Sequence, residues 1–321
     1  MIGKRVVGVG AALVDLLLEE SDEFVSATGQ PKGGMTLSEL STIEELLSKT
    51  SAEQKVAPGG SACNSMVGLA RLGADAAFIG MCGNDDMGEF FESKITDAGV
   101  VSLLKKSEAA TGRVLSIVTP DAERTMFTCL GAAGEFQAEA LSSDDFKDAG
   151  IVYIEGYLLF NEALTREVVK LAKEAGAKIA LDLASFQVVE ICGPLMKELL
   201  KDSVDIVLAN EDEAKAFTGV EEKEALNVLA ELVDIAVVKL GDKGALLKKD
   251  GVDHVVEINK VKALDTTGAG DLWAAGFLYG LVQGHDLHKA GSIGASVAAE
   301  VVAVMGAHIP TEGWDRIYKT L

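Results

Sequence analysis

The sequence predicts an α/β fold: a mostly parallel central sheet with helices on both faces, plus a small β-sheet outgrowth. Three observations predict it. From Ile151 on, short runs of Val, Ile and Leu alternate with segments of helical length, the pattern of consecutive βα units. Ahead of that series, Gly112 to Thr119 and Glu123 to Leu130 are strand-like runs joined by Thr119-Pro120-Asp121-Ala122. Pro at the second position marks a hairpin turn and suggests an antiparallel outgrowth on the parallel core. Gly contributes 34 of 321 residues, against a usual share of about 7%, so tight turns and close backbone approaches are expected. At 48% hydrophobic residues there is ample material for a core, and residues 1–321 are read as one domain.

Lys and Arg number 29 and Asp and Glu 50, a formal net charge of −21. Nucleic acid and anionic membrane surfaces repel such a chain, and neither is expected as a partner. Any polyanionic substrate needs local positive help. Cys63, Cys82, Cys129 and Cys192 lie far apart, with no C-x-x-C and no paired His spacing. A zinc site or disulfide framework is therefore not expected, and the thiols fit a reducing cytoplasm. Met1 to Gly8 leads directly into a strand-like run without a signal-peptide layout, and no apolar run reaches the roughly 18 residues of a membrane helix. A soluble, cytoplasmic protein is the expectation.

Taken in order, Arg5 to Leu18 reads as a buried strand (Val6, Val7, Val9) that bends and continues through Leu13 to Leu18. Gly8-x-Gly10 is not a dinucleotide fingerprint, because Leu13 stands at the third glycine and a strand follows instead of a helix. Asp15 is a lone carboxylate in an apolar run. It either faces water at an edge or accepts hydrogen bonds from a ligand's hydroxyls. Leu37 to Ser48 has helical period. Pro58-Gly59-Gly60 then precedes a helix from Ala62 to Leu72 and lacks the G-K-[ST] of a nucleotide phosphate loop. Asn64, one turn in, is either incidental or aimed at whatever approaches the glycines.

Ala76 to Met81 is a short strand, and Asp85 to Gly88 opens a helix through Ala98. Arg124, at the return of the hairpin, is a surface cation or an inward one able to neutralise phosphate. The βα series follows: Ile151–Glu155 with a helix through Ala175, Lys178–Leu183 with a helix around Met196–Lys201, Ile206–Ala209 with a helix from Glu211, and Ile235–Leu240. A hairpin of Ala245–Lys249 and Val255–Ile258 closes it. Asn210-Glu211-Asp212-Glu213 has the spacing of a capping box. Carboxylates that order water around Mg²⁺ at a strand's carboxyl end are the alternative. Lys239 to Gly244 ends another strand at the same edge of the sheet.

The stretch Asp265-Thr266-Thr267-Gly268-Ala269-Gly270-Asp271 runs into an apolar helix through Val282. Gly268 and Gly270 let backbone amides crowd an anion, and the helix start adds its positive end. A carboxylate placed there, Asp271, would repel a resting phosphate. Phosphoryl transfer accounts for both features: amides hold the moving charge and the aspartate takes the attacking hydroxyl's proton. An aspartate merely favoured near a helix start is the plainer alternative.

Together these segments resemble, over nearly the whole chain, the PfkB or ribokinase family of carbohydrate and nucleoside kinases. Gly59-Gly60 to Asn64 resembles its first signature, Asp265 to Asp271 its D-T-x-G-A-G-D signature, and Asn210-x-x-Glu213 its Mg-linked motif. The chain looks most like adenosine and related nucleoside kinases. The grounds are Lys32-Gly33-Gly34-Met35-Thr36-Leu37, Glu123-Arg124-Thr125-Met126, Leu130-Gly131-Ala132-Ala133 and Ile154-Glu155-Gly156-Tyr157-Leu158. The resemblance implies a ribokinase-like fold with a lid formed by about residues 13–38 and 103–131.

It further implies transfer of the ATP γ-phosphoryl group to the 5′-hydroxyl of adenosine, forming AMP in purine salvage. The alternatives are a ribokinase or fructokinase, or a preference for inosine, guanosine or cytidine. Carried over by position, Asp15 accepts the ribose hydroxyls, with Gly59, Gly60 and Asn64 completing the clamp. Met35, Met126, Leu130, Tyr157 and Leu158 flank the purine, and Arg124 meets the transferred phosphate. Gly268, Ala269 and Gly270 form the anion hole and Asp271 is the base. Asn210, Lys239, Gly241 and Thr267, with Gly268 and Gly270, lie by ATP. Asn210 and Glu213 hold Mg²⁺ through water, and carbonyls near Asp265, Thr267 and residues 301–306 suit K⁺. Two positions depart from the pattern: Gly10-Ala11 stands where adenosine kinases commonly have Gly-Asn, and Lys239 where relatives often carry Thr. A monomer or a homodimer paired through the lid's edge is compatible with the sequence.

Overall fold

β1 (Arg5–Val9) is apolar because both its faces are covered, and it lies inside a sheet of nine strands. The structure is a computed structural model that describes residues 5–121, 123–258 and 260–321. The expected turn at 119–122 thus falls partly outside the described residues, as does the N-terminal reading at 1–4. After β1 the chain enters a second sheet as β2 (Leu13–Glu19), then forms α1 (Asp22–Ala27), β3 (Met35–Leu37), α2 (Leu40–Ser48) and β4 (Lys55–Gly59). It returns through α3 (Ser61–Arg71) to β5 (Asp75–Ile79), followed by β6 (Met81–Gly83), α4 (Asp86–Asp97), β7 (Val101–Ser102) and β8 (Lys105–Ser107). The hairpin β9 (Gly112–Val118) and β10 (Arg124–Cys129) goes back to the second sheet.

β11 (Ala149–Glu155) then pairs on the other side of β1. There follow α5 (Glu162–Glu174), β12 (Lys178–Asp182), α6 (Phe186–Asp202), β13 (Ile206–Asn210), α7 (Glu211–Thr218), α8 (Glu222–Ala230) and β14 (Ile235–Lys239). The antiparallel strands β15 (Ala245–Lys249) and β16 (Val252–Val256) close that edge, before α9 (Ala269–Val282), α10 (Leu287–Val301) and α11 (Thr311–Tyr318). The strand order is β16-β15-β14-β13-β12-β11-β1-β5-β7, parallel from β14 to β7. Successive strand residues point to opposite faces. Val6, Tyr153, Ala180, Leu208 and Val237 pack toward α3, α9 and α10, while Val7, Val152, Ile179, Val207 and Val238 pack toward α5 to α8. This is the expected mostly parallel sheet with helices on both faces.

Three expectations need correction. The outgrowth is a mixed five-stranded sheet, β3-β10-β9-β2-β4, in which β2/β9 and β3/β10 pair parallel because their partners arrive by crossover instead of by a tight turn. The last strand spans Val252–Val256, not 255–258: Asp250 (φ 50°) and Gly251 (φ 75°) make a two-residue turn that starts it earlier. The helix expected around 196–201 begins at Phe186, where Ser185 accepts from the Val188 amide. A buried stripe of Val188, Val189, Cys192, Met196 and Leu199 holds it across Pro194.

The second sheet has two unlike faces. Val14, Leu16, Leu18, Leu115, Ile117 and Phe127 face inward with Val25, Ile43 and Leu46. Register places Asp15, Leu17, Met126, Thr128, Met35 and Leu37 on the other face. Beneath it, α3 and α9 approach closely because Gly68 lacks a side chain; a Cβ there would lie 2.7 Å from the Ala275 Cβ. That contact carries the start of α3 to the start of α9.

Candidate active site

The start of α9 depends on Gly268. It holds φ 71°, and a Cβ would meet that of Ala307 at 2.6 Å, so conformation and space both demand glycine. The Ala269 amide donates to the Thr266 carbonyl at 3.1 Å. Among the described residues the first-turn amides of Gly270 and Asp271 find no acceptor, as expected for a helix N-terminus. Asp271 accepts from Ser61 Oγ at 2.7 Å and from Asn64 Nδ2 at 2.9 Å. Burial lifts its carboxyl above the usual range, the bonds from Asn64 and Ser61 pull the other way, and the charge of Asp182 adds to the rise.

Arg124 reaches from the second sheet to donate to Thr267 Oγ1. Thr267 in turn donates to Asp265 Oδ1 from its amide (2.9 Å) and hydroxyl (2.6 Å), and Gly306 N donates to Asp265 Oδ2 at 2.8 Å. Burial alone would raise the Asp265 carboxyl; these bonds outweigh it and hold it low. Asp265 thereby joins the turn before α9 to the segment after α10. The Val302 carbonyl accepts the amides of Leu264 and Asp265, so the two stretches expected to surround K⁺ are neighbours.

Four parallel strands end in polar residues, Glu155, Asp182, Asn210 and Lys239, on the face shared with α9. Glu155 accepts the amides of Ala11 and Ala62, both at 2.9 Å, and locks the end of β1 to the start of α3. Burial, despite those amides, pushes its carboxyl up to about 7. Gly10 makes room, since a Cβ there would lie 2.2 Å from Glu155 Oε2. Asp182 accepts from Lys239 Nζ at 2.9 Å and from the Ala184 amide at 3.0 Å.

Asn210 and Glu213 form the capping box: Asn210 Oδ1 accepts the Glu213 amide, while both Glu213 oxygens accept from Asn210, each at 2.8 Å. Glu213 is buried, and burial with the nearby Asp182 charge pushes it up to about 7. On β2, Asp15 is half-buried; burial raises it to about 6, Arg124 lowers it and Asp271 raises it. Gly59 admits it, because a Cβ there would sit 2.5 Å from the carboxylate.

The structure therefore brings together Asp15, Gly59, Gly60, Asn64, Arg124, Thr267, Gly268, Gly270, Asp271 and Lys239. Met126 shares the Asp15 face, and Met35, Leu130 and Tyr157 are exposed at 50%, 42% and 42%. Leu158 differs from expectation: it is buried in the core beneath β11, because it packs inward from the turn that exposes Tyr157. Ala269 offers no free amide, and Asn210 is committed to its cap. Gly241 (φ 54°) begins the turn after β14. Sequence reasoning missed Ser61, Glu155 and Asp182 as site residues. The available signal was a polar residue ending each apolar strand run. Two grooves near Lys178 and near Asp250, at the opposite ends of the strands, contain none of these groups.

β1 is the point where strand order reverses, and open α/β sheets bind ligands outside the carboxyl ends of strands at that point. The fold and the groups gathered there fit a kinase acting on an alcohol. The pattern of the pfkB family carbohydrate kinases matches residues 23–313, and the chain belongs to that family. Its activity is phosphorylation of hydroxyl groups of sugars or nucleosides. The chain is similar to a probable sugar kinase from Rhizobium etli, 32% identical with a TM-score of 0.90 over 99% of both chains. It is similar in equal degree to the adenosine kinase from Sinorhizobium meliloti, 32% identical with a TM-score of 0.90 over 99% of this chain and 100% of that one. The ribokinase from Thermotoga maritima is 25% identical, TM-score 0.79, over 98% and 99% of the two chains, and the fold is ribokinase-like. Among the described residues no helix is long and apolar enough to cross a membrane, and no group of three or more His, Cys, Asp and Glu side chains could hold a metal ion.

Proposed function

We propose that this protein transfers the γ-phosphoryl group of ATP to the 5′-hydroxyl of adenosine, yielding AMP and ADP, as a cytoplasmic enzyme of purine salvage. The observation that carries the nucleoside reading is the open face of the second sheet. Met35 and Leu37 (66% exposed) lie on the same face as Asp15, and Leu130 is exposed just beyond β10. A purine covers such a surface, whereas a free sugar leaves it wet. The likeness to the Sinorhizobium meliloti adenosine kinase supports the same reading.

In the reaction Asp15 accepts the ribose hydroxyls and Asn64 orients the sugar against Asp271. Asp271 takes the 5′-hydroxyl proton as the oxygen bonds to the γ-phosphorus and the bond to the ADP oxygen breaks. The free amides of Gly270 and Asp271 hold the charge on the transferred group, and Arg124 adds a cation from the lid side. The lid, about residues 13–38 and 103–131, closes to exclude water. Asn210 and Glu213, where β13 meets α7, would hold Mg²⁺ through water, and the ion would supply charge neutralisation at the phosphates. The carbonyls of Asp265 and Thr267, with those of residues 301–306, would suit K⁺ next to the catalytic turn.

A sugar kinase is the second reading, and the equal likeness to the Rhizobium etli protein favours it. Selectivity for another nucleoside is also open to this chain, since the Ala11 amide is spent on Glu155 and reads no base. Coupled ATP consumption across adenosine, inosine, guanosine, cytidine, ribose and fructose tests the assignment. Adenosine should give the highest kcat/KM; a higher value for ribose or fructose would move the enzyme to the sugar kinases.

A further inference from the structure

Lys239 is the one cation among the polar residues that end β11 to β14. Its side chain is 13% exposed and that of Asp182, its partner, 7%. An ammonium has three donors, and the bond to Asp182 at 2.9 Å is the one that the described residues supply. The rest of the ammonium faces the start of α9: a Cβ on Gly270 would stand 3.3 Å from Nζ. The amides of Gly270 and Asp271, which have no acceptor among the described residues, belong to that same helix start. Buried donors ordinarily have acceptors. Here the ammonium's remaining donors and two amides lie together without one among the described residues, beside the carboxylate assigned as the base.

Asp182 is itself firmly set. Its other oxygen accepts from Ala184, a non-glycine residue held at φ 67°, a conformation that must be stabilised by its surroundings. Burial would discharge Lys239, but Asp182 and Glu213 more than offset it, so the amine stays protonated.

We propose that Lys239 is a catalytic residue whose ammonium spans Asp182 and the γ-phosphoryl group in transit, with Asp182 as the positioning residue that keeps it there. This rests on the kinase reading and adds to it a cation on the sheet side of the anion hole, opposite Arg124 on the lid side. An acidic protein thereby supplies positive charge where a polyanion must sit. No bond to lysine forms; the ammonium contributes charge and hydrogen bonds that strengthen as the group leaves ADP.

A purely structural ion pair is the competing explanation, and Lys239→Met alone cannot separate the two because it strands a buried carboxylate. The double variant Lys239→Met/Asp182→Asn removes both charges. Thermal unfolding should return toward the wild-type midpoint, while kcat stays down by about 10²–10³-fold. Calorimetry should show weakened binding of a non-hydrolysable ATP analogue and unchanged binding of the nucleoside. Lys239→Arg should recover part of kcat. A double variant with wild-type kcat and wild-type analogue affinity would overturn the proposal. A wild-type protein that consumes no ATP with any compound of the panel would instead remove the kinase reading, and calorimetry would still report whether Lys239 binds phosphate.

Discussion

In the proposed reaction Asp271 must hold a proton briefly and release it, and its surroundings set how readily it does so. Burial raises its carboxyl above the ordinary range while Asn64 and Ser61 keep the ionised form available. Asp15 must also be ionised for its proposed role toward the substrate's hydroxyls, and burial pushes it up to about 6. A raised carboxyl is protonated earlier as pH falls, so kcat/KM should fall as pH is lowered through about 6. A profile flat down to about pH 4, the range of an unperturbed carboxylate, would contradict this description of the site. The sequence singles out Asp271, Asp15, Asn64 and Arg124, the first because its whole turn is contiguous, and the structure brings them together. It does not single out Glu155 and Asp182, because a single acid after an apolar strand has the same appearance in a solvated loop. Only the pairing of β11 and β12 shows that the two share a face with α9.

The meeting of Asn64 with Asp271 is a property of two helices. Small residues on α3 and α9 let their backbones approach, and at Gly68 a Cβ would meet Ala275 and Leu272 at 2.7 and 2.8 Å. Gly68→Val should destabilise the protein by roughly 1–3 kcal/mol through overpacking. It should also lower kcat, because separating the helices lengthens the Asn64 and Ser61 bonds to Asp271. Urea denaturation and steady-state kinetics check both, and an unchanged kcat would mean that helix spacing does not set the geometry. The βα series was legible as elements because each strand is a short, uninterrupted apolar run. The second sheet was harder to read. Its inner face is apolar, its outer face also carries the exposed Met35 and Leu37, and the alternation that reveals a half-solvated strand is blurred.

Across the whole molecule, negative charge is gathered at one edge of the sheet. Glu155 and Glu213 are both pushed up to about 7 and Asp15 to about 6. The folded state therefore binds protons that the unfolded chain has already released, so stability is fully present below the unfolded values and is lost as pH rises through the folded ones. For the buried Glu155 this is on the order of 3 kcal/mol. The urea midpoint of the ligand-free protein should fall between pH 4.5 and about 7, and Glu155→Gln should flatten that slope. A midpoint rising over the interval would contradict the assignment of these buried acids.

The whole-chain resemblance to a kinase family rested on three short motifs whose order spans the chain, and the match over residues 23–313 bears it out. Composition added the need for local cations in a chain of net charge −21. Arg124 at the hairpin's return is open to two readings in the sequence, surface cation or inward one, and in the structure it reaches Thr267. The pairing of Lys239 with Asp182 lies across β13 and could not be read along the chain.

The most direct measurement compares wild type with Asp271→Asn, following ATP-dependent phosphorylation of adenosine alongside calorimetric binding of adenosine. In the variant kcat should drop by about 10²–10⁴-fold while adenosine still binds with nearly unchanged affinity. Turnover close to wild type in the asparagine variant would contradict the assignment of Asp271 as the base.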